Sequence, residues 1–124
     1  MIAASALLTA AVYAADVDVT SNITTDTTWT SDNVYHLSGF ITVNGAALTI
    51  EPGTVIKAAA GTGTDATALI VSQTATINAV GFASAPIIFT AEGYPMDGSW
   101  GPDEGSTWGG LIILGNAPLN SDRN

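Results

Sequence analysis

A β-solenoid, a chain wound into stacked coils of short strands, is the fold class the sequence predicts, on three observations. The first is self-similarity. Leu48-Thr49-Ile50 is followed six residues on by Ile56, Leu69-Ile70-Val71 by Ile77, and Leu111-Ile112-Ile113 by Leu119. The shared unit is apolar-x-apolar, a short polar or Gly/Pro corner, then an apolar residue and a polar one (Lys57, Asn78, Asn120). Repeats of this kind at roughly twenty residues mark architectures whose units cannot bury their apolar faces alone. The second is composition: Thr, Ala, Val, Ile and Gly dominate and Lys, Arg, Gln and Glu are scarce, which is strand-and-turn chemistry. The third is punctuation. Asn44-Gly45 and Glu51-Pro52-Gly53 separate the apolar runs with turn residues, and a proline there marks a corner, since it cannot donate to a sheet ladder.

Read in order, residues 16–33 are rich in Thr, Ser, Asp and Asn, with Val17, Val19, Ile23 and Trp29 spaced among them. They predict two short strands that form an N-terminal capping segment, because a solenoid needs an atypical first unit. Trp29 is the natural plug, for one indole buries a large area; an exposed, sugar-stacking Trp29 is the alternative. The coils run over 34–124. Val34 to Leu37 alternates as a strand, Ser38-Gly39 turns, and Phe40 to Val43 makes the next, so this pair reads as a shorter, earlier coil. Leu48 to Ile50 and Thr54 to Lys57 flank the Glu-Pro-Gly corner. Ala58 to Thr67 offers only methyl groups to bury and reads as a loop. Ala68 to Val71 and Ala75 to Ala79 are the following strands, and Pro86 opens another through Thr90.

Residues 92–107 break the rhythm with Gly93, Pro95, Gly98, Gly101, Pro102 and Gly105 among Asp97, Asp103 and Glu104. This is an inserted loop projecting from one side of the coils. Trp108-Gly109-Gly110 leads back into Leu111 to Leu114. On this reading Leu48, Leu69 and Ile88 hold equivalent places in successive coils. Leu48, Ile50, Ile56, Leu69, Val71, Ile77, Ile88 or a neighbour, Ile113 and Leu119 then stack inside. No polar terminal coil follows Leu119, so the chain is expected to be a fragment of a longer solenoid that continues past Asn124.

Charge narrows the function classes. Eleven acids stand against Lys57 and Arg123, for a net −9. Nucleic acid is excluded as a partner because phosphate neutralisation needs clustered Lys and Arg. An anionic membrane surface is disfavoured for the same reason. Met1 to Ala15 is uncharged, apolar and closes on small residues. It is too short for a bilayer, which takes about twenty residues, and reads as a signal peptide whose basic n-region is missing; a buried N-terminal helix is the competing reading. Secretion or outer-surface display follows, with no membrane span in the mature segment. The chain has no cysteine, so stability must come from stacking, and a lipid-bearing N-terminal cysteine is ruled out. The sequon Asn22-Ile23-Thr24 is present.

The residues from Gly45 to Lys57, GAALTIEPGTVIK, resemble the GATLTIEPGTVIKG signature of large secreted bacterial surface proteins. Pro86 to Thr90, and Trp108 to Pro118, are similar to the PIIFTS and WGGIIILGNAPI stretches of the same proteins, in the same order. The resemblance covers about residues 28–120. It implies an all-β, right-handed parallel β-helix, a structural or adhesive role, and surface glycans or other cell-surface proteins as partners. Ala58 departs from the pattern, which has glycine there, and is expected to alter a corner.

Parallel β-helices include polysaccharide-active lyases and hydrolases, so the alternative is that these are the N-terminal non-catalytic coils of such an enzyme. A lyase needs a base near neutral pKa and acids that hold calcium; a hydrolase uses paired carboxylates. Lys57 follows an inward Ile56 and is expected outside, and His36 stands alone on its strand. No aspartate recurs at equivalent positions, so no catalytic residue and no cofactor is assigned. Asp97, Asp103 and Glu104 are the candidate Ca²⁺ ligands, as hard oxygens among glycines, but their spacing fits neither an EF-hand nor the Gly/Asp nonapeptide. A solvated acidic loop is the simpler account of them. Trp100 and Trp108 flank this loop, either to pin it inward or to offer a stacking face to a sugar.

Export carries its own check. Intact-mass measurement of secreted material, made with a restored basic n-region, is expected to place the mature N-terminus at Ala15 or Asp16; retention of Met1 outside the cell contradicts the signal-peptide reading.

Overall fold

The computed structural model describes residues 14–101 and 107–117. Ten strands account for almost all of its regular structure: β1 (Ala15–Val19), β2 (Thr27–Trp29), β3 (Asn33–Leu37), β4 (Phe40–Val43), β5 (Ala47–Ile50), β6 (Val55–Ala58), β7 (Ala68–Val71), β8 (Thr76–Ala79), β9 (Ile88–Ala91) and β10 (Gly110–Ile113). A single 3₁₀ turn, Gly63–Asp65, lies in the loop before β7. Every strand pairing is parallel. Consecutive strands never pair with each other; each joins the strand one coil away. The result is three sheets: β1-β3-β6-β9 (sheet A), β4-β7-β10 (sheet B) and β2-β5-β8 (sheet C). Ile23 extends sheet B through an isolated bridge to Val43. The chain is a parallel β-helix with three faces.

The first coil is β1, Ile23 and β2; the second is β3, β4 and β5; the third is β6, β7 and β8; the fourth begins with β9 and β10. Strand pleating sends alternate side chains inward. Sheet A thus stacks Val17, Tyr35, Ile56 and Phe89 in one inward row, and Val19, Leu37, Ala58 and Ala91 in another. Sheet B contributes Ile41-Leu69-Leu111 and Val43-Val71-Ile113. Sheet C contributes Leu48-Ile77 and Trp29-Ile50-Ala79. Leu37, Ile41, Val43, Leu48, Ile56, Leu69 and Val71 are essentially solvent-free. Each contributes about 1.5–3 kcal/mol by leaving water, and only a neighbouring coil above and below makes that burial complete.

Trp29 is buried and stacks on Tyr35, ring centroids 4.8 Å apart. The Tyr35 hydroxyl in turn accepts the Thr30 N–H at 2.9 Å, so the aromatic pair also satisfies a backbone donor at the coil's turn. The Glu51-Pro52-Gly53 corner forms as expected. Gly53 takes φ +84°, and the buried Thr54 hydroxyl donates to the Glu51 carbonyl at 2.7 Å.

Several expectations shift. Leu69-Val71 and Leu111-Ile113 are true equivalents, but Leu48-Ile50 belongs to a different face. The residue stacked on Leu69 from the preceding coil is Ile41, and the one stacked on Leu48 from the following coil is Ile77. Nor is the coil length constant: Ile56 stands 21 residues after its partner Tyr35, and Phe89 33 after Ile56. The reason is that an alternating strand reads the same on any face; only the corners tell faces apart. Ile88 points outward and its neighbour Phe89 takes the inward place. Pro86 lies two residues ahead of β9 rather than opening it. Ala58 is not a corner residue but the buried last residue of β6, where a methyl group fits between Leu37 and Ala91 without positive φ. Ile113 holds its inward register below Val71 yet is 59% exposed, because no described residue stacks beneath β10. Leu119 lies outside the described residues.

The corrected register separates two substitutions. Val71→Asp places an unpaired carboxylate in the core at a cost of several kcal/mol and is expected to abolish cooperative melting by circular dichroism. Ile113→Asp, at the open end, is expected to leave the melt intact. Equal tolerance of both would sink the register described here.

Candidate functional site

Loops that vary while the coils stay constant are where a solenoid carries function, and here they share one corner. Between sheets A and B the second coil turns through Ser38-Gly39, the third through residues 59–67, and the fourth through 92–109. The corner between sheets B and C stays short throughout, at 24–26, 44–46 and 72–75, whereas the one between sheets C and A lengthens to 80–87 after β8. The roots of these three turns are bonded in series. The Gly39 N–H donates to the Thr67 hydroxyl at 3.2 Å, and the Gly109 N–H donates to the Thr67 carbonyl at 2.6 Å. Farther out, the Gly61 N–H donates to the Thr107 carbonyl at 3.0 Å, joining the two longer loops.

This geometry accounts for the Trp-Gly-Gly run. Trp108 packs against the core cluster. A Cβ on Gly109 would stand 3.0 Å from the Thr67 carbonyl oxygen and 3.1 Å from the Ala68 Cβ, so a side chain there would press the start of β7 away by a few tenths of an ångström and lengthen the short bond. Gly110 then turns the chain into β10 with φ +86°. The inward pinning expected of Trp108 is thus realised. Trp100 instead packs edge-on against Tyr94 within the loop, centroids 5.1 Å apart.

Of the three acids expected as Ca²⁺ candidates, Asp97 is described; Asp103 and Glu104 lie outside the described residues. The Asp97 carboxylate accepts the Ser99 N–H at 2.8 Å. Hydrogen bonds from Ser99, hydroxyl first and amide second, hold this exposed carboxyl below its ordinary pKa. Among the described residues no three His, Cys, Asp or Glu side chains are grouped to hold a metal. Lys57 lies on the outer face of sheet A as expected, level with His36.

His36 itself is not alone. Its Nε2 lies 2.9 Å from Asp16 Oδ1 and its Nδ1 2.9 Å from Glu92 Oε2, so carboxylates from the first and fourth coils close on the imidazole from opposite sides. The bond to Glu92, then that to Asp16, raises the imidazole pKa above its ordinary 6.5 against a smaller effect of burial. The signal in the sequence is weak: the three residues converge only once β1, β3, β6 and β9 are aligned.

A second feature is apolar. Ile77, Phe82, Ile87, Phe89, Leu111 and Ile113 line an open cavity of about 530 Å³ at the end of the stack. It is the floor of the core, continuous with the inward rows above. Among the described residues no helix is long and apolar enough to cross a membrane.

The family described as a pectate-lyase like beta helix domain matches residues 21–124. No curated protein and no solved structure matches the chain.

The loop is expected to be separable from the coils. Deleting residues 94–106 keeps Glu92, Thr107 and the Trp-Gly-Gly root, and surface-loop length alters closure entropy only slowly. The shortened chain should retain its strand circular dichroism and a cooperative melt; a collapse of either would make the loop part of the fold.

Proposed function

The chain belongs to the pectate-lyase like β-helix family, and from that premise we propose that it is a non-catalytic, structural or adhesive section of a secreted or cell-surface rod. The observation that carries this reading is the use of the outer polar side chains, which bind coil to coil. Asn22 Oδ1 accepts the Thr42 N–H and Asp26 Oδ1 accepts the Ala47 N–H, both at 2.9 Å. Glu51 Oε2 accepts the Ser31 N–H at 3.3 Å, and the Ser72 and Thr74 hydroxyls donate to Asn44 Oδ1 at 3.1 and 2.8 Å. Each bond spans adjacent coils. These polar side chains tie one coil to the next, which stiffens the stack. In this reading the loops at the corner between sheets A and B present the adhesive surface, to glycans or to other surface proteins, and the open apolar end is a surface on which a further coil can stack.

The family's description favours a second reading, in which these coils precede the catalytic coils of a polysaccharide lyase or hydrolase. One pair of measurements separates the two. The native protein extended past Asn124 is incubated with polygalacturonate and calcium, and unsaturated product is followed by ultraviolet absorbance. The rod reading expects no product, with light scattering showing the extended protein monodisperse and the 124-residue chain self-associated through its exposed strand edges. Product formation overturns it in favour of the enzyme. A monodisperse monomer of the 124-residue chain makes it a self-capped domain instead.

A further inference from the structure

The ion pairs at His36 join residues of the first, second and fourth coils. Asp16 belongs to β1, the outer strand of sheet A; His36 belongs to β3; Glu92 follows β9 and is the first residue of the 92–107 loop. The Glu92 carboxylate reaches past β6 to meet the second coil. The arrangement rules out a shared metal ion, because the two carboxylates contact opposite nitrogens of one ring instead of facing a common point.

Its proton count is the informative part. Both partners are acceptors when ionised, and an imidazolium carries two N–H donors that can serve both at once. A neutral imidazole carries one donor and one acceptor, so it can hold one carboxylate and must face the other lone pair to lone pair. We propose that His36 is a pH-sensitive clamp: protonated, it holds both β1 and the root of the 92–107 loop against the middle of sheet A, and neutral, it releases one of them.

The charged groups around it leave this logic intact. Asp18 on β1 and Lys57 on β6 are the register neighbours of His36 and face the same side, one of each sign. Thr90 of β9, next in that row, is uncharged. The raised pKa of His36 follows from the same two carboxylates. A folded-state pKa above the unfolded value means that the clamp's stabilisation is complete below about 6.5 and is lost as pH rises through the folded-state pKa.

Hydrogen exchange read by mass spectrometry on the native protein tests the clamp at about pH 5.5 and about pH 8.5, after correction for intrinsic exchange. In the parent, uptake in peptides covering 14–20 or 92–98 is expected to rise several-fold at the higher pH. His36→Gln should show the raised uptake at both pH values. Asp16→Asn should loosen the β1 peptide and Glu92→Gln the loop-root peptide, each at the lower pH. Equal uptake of the parent at the two pH values, or the same pH dependence in His36→Gln, overturns the clamp. If His36→Gln does not fold, the two carboxylate variants decide: loosening of neither peptide also overturns it.

Discussion

Everything in this structure rests on pairing between coils rather than within them. A strand here has no hydrogen-bonded neighbour in its own coil, so its amides and carbonyls are satisfied only by the coil above and the coil below. The same stacking buries the apolar rows. Backbone satisfaction and hydrophobic burial are therefore one event, and neither can be completed by a single turn of the chain. Trp29 over Tyr35 shows the economy of this at the first coil, where the sequence supplies a large ring to cover the second coil's aromatic row and the Tyr35 hydroxyl closes the turn beside it. The exposed Leu111 and Ile113 show the converse at the other end, where no described residue stacks beneath β10 and correct register alone leaves aliphatic side chains in water.

The corners divide the labour differently. Glu51-Pro52-Gly53 closes tightly on a buried threonine, and the chain passes from sheet C to sheet A with its geometry held by one positive φ and one side-chain bond. The passage from sheet A to sheet B varies most in length, from Ser38-Gly39 to residues 92–109. What it conserves is the root, where Gly39, Thr67 and Gly109 are linked by backbone and hydroxyl bonds. A loop can therefore grow there without disturbing the rows, provided its last residues return to the same donor and acceptor.

Much of this was legible from residue order, and the part that was not has a definite cause. Alternation located the strands, and the inward places of Leu48, Ile50, Ile56, Leu69 and Val71 follow from pleating alone. Which face a strand occupies is a different question, because Leu48-Thr49-Ile50 and Leu69-Ile70-Val71 have the same pattern on different sheets. An unequal corner then slides one coil against the next in sequence while leaving them aligned in space, so constant spacing pairs the wrong residues. His36 looks solitary in the sequence for this reason. Asp16 and Glu92 are remote from it in sequence and become neighbours only in the true register of sheet A. The Trp-Gly-Gly run was recognisable as a motif, but the reason for its first glycine, a close approach to the Thr67 carbonyl, is a contact between coils.

The placement of the long loops at one corner has a consequence for how such a chain can change. Adjacent coils are separated by about 4.8 Å, roughly the width of one extended backbone, so loops rooted side by side on the same corner are crowded as teeth in a comb are. The contact between Gly61 and Thr107 is what that crowding looks like when resolved favourably. An insertion in one loop must be accommodated by its neighbours, by packing or by splaying apart, before it reaches solvent. These loops are thus not independent modules to be exchanged one at a time: they vary as a set, and a foreign segment grafted into one inherits the shape of the next.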